Sequence, residues 1–256
     1  MKSLTIASTY GTRYWPLPIQ KSLETTEANW PSHAKVLVYP DDMSQTVKKD
    51  RFEYYDGTSW SEQNDLNTGR YLSAGCGLQT AALYVGGNDG TGTTAIVEEW
   101  NGTSWSEVNN LNLAREGGAG AGTQTAALAF GGTRQSQPGG PNTADTESWN
   151  GTNWTEVNNM AAANSRMAGA GTQTSALSFS GGGNTANTEL WNGTNWTEVN
   201  NLNTGRSNSS GTGADNTSAI CVGGETPSVT AVAETWNGTN WTEVGDLNTA
   251  RDRLCS

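Results

Sequence analysis

One nine-residue phrase recurs along this chain at nearly fixed intervals, and that recurrence restricts the fold more than any other feature. "WNGTSWSEV" at Trp100 returns as "WNGTNWTEV" at Trp149, Trp191 and Trp236, with a weaker copy, "YDGTSWSEQ", at Tyr55. The spacings are 45, 49, 42 and 45 residues, and the copies hold nine of the 11 tryptophans. The stretches between copies repeat as well. "LNLAREGGAGAGTQTAALAFGG" at Leu111 aligns without a gap on "LNTGRYLSAGCGLQTAALYVGG" at Leu66, and the segments from Met160 and Leu202 keep most of that pattern. Each unit is therefore a copy of one module.

Within a module, turn signals separate four β-prone segments, a to d. Segment a is glycine-spaced ("REGGAGAGT"), b is apolar and closed by paired glycines ("TAALAFGG"), c ends at the first Trp, and d is "TSWSEV". Asn101-Gly102 reads as a two-residue type I′ turn joining c to d. That register sets Trp100 opposite Thr103 and Glu98 opposite Trp105, with both indoles on one face, diagonally adjacent. A four-stranded sheet of this size cannot cover both its faces alone and must stack on its neighbours. Only 34% of the 256 residues are hydrophobic, with 32 glycines, which suits short strands and turns rather than long helices.

The order of features, with a glycine-rich inner strand, an apolar strand ending in Gly-Gly, and Trp late in c and on d, resembles the kelch repeat of galactose-oxidase-like propellers. The resemblance covers residues 34–256 and implies an all-β propeller of four-stranded blades. Before the first phrase, "AKVLVYPDDMSQTVKKDRFEYYDGTSW" supplies b, c and d without an a; after the last, "LNTARDRLCS" stops partway into an a. Joining the two predicts a five-bladed ring closed between the amino- and carboxyl-terminal strands, at about 45 residues per blade. Residues 1–33, with "RYWPLPIQ", stand outside the repeat as an extension or docking arm.

Charge recurs with the tryptophans. Glu53, Glu98, Glu147, Glu189 and Glu234 stand two residues before the first aromatic, and Glu62, Glu107, Glu156, Glu198 and Glu243 seven after it. Arg70, Arg115, Arg206 and Arg251 follow segment d, with Arg166 displaced by two. Groups copied in every module read as braces between blades rather than as a catalytic carboxylate pair, which must be unique. His33 is the only histidine, so neither the multi-histidine copper centre of galactose oxidase nor a convincing serine triad can be assembled. Expectations are thus no enzyme activity, no cofactor and no metal site, although "NDGTG" at Asn88 offers oxygen ligands of the kind calcium takes. Asp56 and Gly57 are adjacent, which breaks the spacing of a sialidase Asp-box. The "NGT" sequons are explained by turn chemistry. Cys76, Cys221 and Cys255 fit neither a disulfide framework nor zinc ligation and read as small core residues.

A net charge of −11 opposes binding to a phosphate backbone, so nucleic acid is excluded as a partner. There is no long apolar run to insert in a membrane, and "MKSLTIASTY" has no apolar stretch of signal-peptide length, so we expect no secretion address. If the framework is copied, function belongs where copies differ, and the b-to-c loops differ most. Candidate binding residues on them are Asn88, Asp89, Arg134, Gln135, Gln137, Asn184, Asn187 and Thr226. The Gly/Thr/Asn-rich arrays resemble repeat proteins of marine bacteriophages. That resemblance implies a non-enzymatic virion protein, a tail-fibre or capsid-surface component, whose partners are other virion proteins or a host-surface glycan or receptor, with self-association open. The alternative is a bacterial surface or secreted carbohydrate-binding lectin.

Overall fold

A computed structural model of the chain describes residues 5–8, 35–40, 50–55, 58–134 and 140–253. Every regular element among them is a β-strand, and the strands form four-stranded sheets. The first sheet holds β1 (Thr5–Ser8), β2 (Lys35–Pro40), β3 (Asp50–Tyr55) and β4 (Trp60–Glu62). The first blade is β5 (Ala74–Leu78), β6 (Ala81–Val85), β7 (Val97–Trp100) and β8 (Trp105–Val108). The second is β9 (Ala119–Thr123), β10 (Ala126–Phe130), β11 (Thr146–Trp149) and β12 (Trp154–Val157). The third is β13 (Ala168–Thr172), β14 (Ser175–Phe179), β15 (Thr188–Trp191) and β16 (Trp196–Glu198). The fourth is β17 (Ser210–Asp215), β18 (Ser218–Val222), β19 (Ala233–Trp236) and β20 (Trp241–Val244).

The four blades are antiparallel meanders in chain order, and their innermost strands β5, β9, β13 and β17 lie side by side. Glycine permits that approach: a Cβ on Gly169 would stand 2.9 Å from the Gly120 carbonyl oxygen of the preceding inner strand. The b strands are sandwiched and apolar on both faces. In β10, Ala127 and Ala129 pack toward the first blade with Leu83, Val85 and Val97, while Leu128 and Phe130 pack toward Trp191 and Trp196 of the third. The core is therefore a series of layers between blades.

The expected five-bladed ring closed by the two chain ends is corrected: the repeat builds four such blades, not five. The inner position of the amino-terminal sheet is taken by β1, which runs parallel to β2, with Thr5 opposite Lys35 and Ser8 opposite Val38. A strand already in that position leaves no place for one from the carboxyl terminus. Arg251–Arg253 forms no strand and stays with the fourth blade, where Gly224 N donates to Arg251 O at 2.9 Å and Arg251 N to Thr230 O at 3.2 Å. Dividing chain length by the repeat could not anticipate an inner strand drawn from outside the repeat. The rest of the expected 1–33 arm, with His33, lies outside the described residues, as does Cys255.

The hairpin register is also corrected. Trp100 pairs directly with Trp105 and Glu98 with Glu107, so the c-to-d loop has four residues, not two. The Asn101 side chain is the reason: its Oδ1 accepts from both Thr103 N and Ser104 N at 2.9 Å, closing a wider turn around Gly102 at φ 92°. The two indoles do share a face, but squarely opposed, with ring centroids 5.4 Å apart.

Candidate functional site

One of the two sets of carboxylates copied in each module is consumed within the framework. Glu98 is fully buried, accepts from Asn67 N at 2.7 Å and Thr68 N at 3.2 Å, and pairs with buried Arg70. It thereby pins the connection arriving from the preceding sheet. Glu147 does the same for Asn112, Leu113 and Arg115, and Glu234 for Asn203, Thr204 and Arg206, with ion-pair distances of 2.6 and 2.8 Å. The other recurrent set, Glu62, Glu107, Glu156, Glu198 and Glu243, is exposed on the outer strands and makes no ion pair among the described residues. Charge there keeps edge strands from pairing with another chain. The first Trp of each phrase donates to the preceding a-to-b turn, as Trp149 Nε1 does to Gln124 O at 2.8 Å. Gln124 Nε2 in turn donates to Trp100 O of the previous blade at 2.7 Å. Asn109 and Asn158 reach the next blade's "NGT" turn, donating to Thr152 O and Thr194 O at 2.8 and 3.0 Å. Cys76 and Cys221 are buried, which pushes the Cys76 thiol up to about 12. Burial raises the Cys221 thiol as well.

The third blade departs from this scheme. Where the neighbours carry Arg115 and Arg206, it has Asn164, whose Nδ2 donates to Ser180 O at 2.8 Å. Glu189 keeps the backbone donors Ala161 N (2.7 Å) and Ala162 N (3.1 Å) but, among the described residues, has no arginine brace. Burial raises its carboxyl above the ordinary value, the two N–H donors counter this, and the charge of Glu198 opposite adds to the rise.

The differing residues gather where each b-to-c loop meets the lead-in to strand a. Bridges Tyr71 to Asn88, Glu116 to Thr133, and Ser207 to Glu225 set both segments at one end of the blades. The "NGT" turns sit at the other end: Gly102 and Gly151 rest on Thr80 and Thr125 of the a-to-b turns. At the loop end a chain of backbone hydrogen bonds passes from blade to blade. Gly117 N donates to Leu72 O (2.7 Å), Arg166 N to Gly117 O (2.6 Å), Asn208 N to Arg166 O (3.0 Å) and Arg253 N to Asn208 O (2.7 Å). All five residues are left-handed, with φ between 51° and 64°.

The sequence-derived candidates divide against this frame. Asn88 is buried, donates to Glu116 Oε2 at 2.6 Å and accepts from Gly90 N, so it is structural. Partial burial pushes the Asp89 carboxyl up, but hydrogen bonds from Thr91 and Gly92 outweigh this and hold it below the ordinary range. Asp89 Oδ1 closes that loop on itself. Arg134 is half-exposed and ion-paired to Asp145. Asn184 Oδ1 accepts from Ser207 Oγ at 2.9 Å, Asn187 N donates to Thr185 Oγ1 at 3.3 Å, and Thr226 N donates to Ser228 O at 2.9 Å. Gln135 and Gln137 lie outside the described residues. These residues occupy four different loops; the side chains of Asn88, Asp89, Arg134 and Asn184 are engaged within the protein, whereas Asn187 and Thr226 contribute backbone donors. The ring residues Leu72, Arg166, Asn208 and Arg253 were missed as a group, although they occupy one aligned column two places after the brace position. Among the described residues no three His, Cys, Asp or Glu side chains gather to hold a metal ion, and no helix is long and apolar enough to cross a membrane.

Meander blades stacked through their b strands around adjoining glycine-rich inner strands define an all-β propeller. No known family model matches the sequence, and no curated relative matches it. Among solved structures, that of YjhT is similar, with a TM-score of 0.65 at 12% identity over 79% of this chain and 80% of that one. At that identity the likeness bears on the fold alone.

Proposed function

We propose that this chain is a kelch-like, non-enzymatic binding propeller of a bacteriophage particle, a tail-fibre or capsid-surface component. The partner would be another virion protein or a host-surface glycan. The observation carrying this reading is the division of labour between copied and differing residues. The recurrent inner Glu and Arg, the first Trp of the phrase and the Asn after strand d spend their hydrogen bonds on the frame, on one another or on backbone of the same or adjoining blade, whereas side-chain variation collects at the loop end. A catalytic centre needs unique groups poised toward solvent, while a platform needs a stiff frame and a varied rim. The phage-array resemblance of the "GTQTAALAFGG" and "WNGTNWTEV" segments supplies the virion setting.

Immunodetection of the protein in density-banded virus particles and in particle-free medium tests this. Recovery with the particles is expected. Recovery only in the medium would favour the secreted lectin, and turnover of glycoside or oxidase substrates by the purified protein would overturn the non-enzymatic reading.

A further inference from the structure

The third blade gives up a framework feature and gains an exposed cation. Aligned on "LNLAREGG", its segment reads "MAAANSRM": the brace position holds Asn164, and the arginine stands two residues later, in the ring. Glu189 is left buried without that partner. Arg166 is exposed, and among the described residues its guanidinium makes no hydrogen bond or ion pair. Its backbone is left-handed at φ 54°, a conformation costly for a long side chain. Gly117, one blade earlier in the same ring, shows that the frame accepts the residue that conformation favours. A strained side chain and a lost buried brace are two stability costs at one segment. Leu72, Asn208 and Arg253 share the left-handed geometry, so that cost belongs to the whole ring; the third blade is set apart by the brace it lacks together with the unpaired guanidinium beside it.

We propose that Arg166 is an anion-binding residue that receives the carboxylate of an acidic sugar at the loop end. The planar guanidinium fork matches a carboxylate with two parallel hydrogen bonds. The ring fixes its base, since Arg166 N donates to Gly117 O and Arg166 O accepts from Asn208 N. The surroundings narrow the ligand further. Glu116 precedes Gly117 in the ring and accepts from Asn88 at 2.6 Å through Oε2, and Glu225 accepts from ring residue Asn208 at 3.2 Å through Oε2 while its Oε1 stands 3.9 Å from ring residue Arg253. With a net charge of −11, these carboxylates oppose a polyanion but can accept from sugar hydroxyls. A ligand with one negative charge and several hydroxyls satisfies both. The choice of a saccharide rests on the platform reading above; anion binding by Arg166 does not.

Calorimetric titration of the full chain with glucuronate, glucose and inorganic sulfate tests the assignment, using the parent and Arg166→Gly. The parent should prefer glucuronate to glucose, and R166G should bind glucuronate about tenfold more weakly or worse while its thermal midpoint rises through relief of the left-handed strain. Equal glucuronate binding by R166G and the parent, or no binding of glucuronate by the parent, would overturn it. Sulfate separates the sources of the signal: loss of sulfate binding along with glucuronate assigns it to the charge at Arg166, and sulfate binding unchanged in R166G places the anion elsewhere and counts against the proposal. The platform reading fails separately, through recovery of the protein only outside virus particles.

Discussion

Trp196 Nε1 donates to Thr146 Oγ1 at 3.0 Å across the boundary between two blades, and Trp241 Nε1 donates to Thr188 Oγ1 at the same distance one boundary further on. At the boundary before these, the threonine position is Val97, packed in one cluster with Trp154, and Trp154 Nε1 is buried without a partner. Trp105 Nε1 is likewise orphaned where Phe52 stands. One hydroxyl thus decides whether each inter-blade indole is satisfied.

Val97→Thr should therefore stabilise the protein by about 1 kcal/mol, and Thr188→Val should cost about 1–3 kcal/mol by orphaning Trp241. Urea unfolding of the two variants checks this. A neutral T188V would show that the bond contributes nothing.

Trp154→Ala should cost about 3–5 kcal/mol, because the indole is buried in the layer between two blades and faces Trp149 at 5.2 Å. An unchanged unfolding midpoint would mean that the repeated tryptophans are not core.

The two glutamates of the third and fourth blades should respond oppositely to neutralisation. Burial, aided by the charge of Glu198, raises the Glu189 carboxyl in the folded state above its ordinary 4.5. A raised value means that the stability contributed by the protonated group is complete below 4.5 and is lost as pH rises through the folded value. Glu189→Gln should accordingly become more favourable relative to the parent between pH 4 and pH 7, by roughly the sign of that linkage. Glu234→Gln leaves Arg206 buried without its counter-charge and should cost about 3–5 kcal/mol at pH 7. Thermal melts across that range check both, and a pH-independent E189Q difference would contradict the assignment.

Much of this was legible in the sequence, for reasons that differ by residue. The repeat period and the two-faced b strands announce stacked four-stranded sheets, since "TAALAFGG" can only be buried on both sides. The brace was readable because Arg115 and Glu147 recur at fixed offsets. The hairpin register was not: Asn-Gly favours a two-residue turn in isolation, but the Asn101 side chain accepting from two N–H groups stabilises a longer one. The inner strand β1 was hidden because its residues carry no trace of the module. The ring at Arg166 was hidden because left-handed geometry leaves a signature only where glycine or asparagine fills it, and here Gly117 and Asn208 do while Leu72, Arg166 and Arg253 do not.

The claim that copied residues are frame and differing residues are the binding surface is tested most directly by pairing a glycan-array assay with a thermal melt on three labelled proteins. These are the parent, a variant with residues 135–139 removed from the longest b-to-c loop, and Asn150→Ala at the opposite end, where Asn150 Oδ1 accepts from Thr152 N and Asn153 N. The loop variant should melt with the parent, since shortening a loop changes closure entropy by only about 0.6 kcal/mol per halving of length, and it should lose array signal. Asn150→Ala should melt lower and keep its signal. Signal retained by the loop variant and lost in Asn150→Ala, with both proteins folded, would contradict the account.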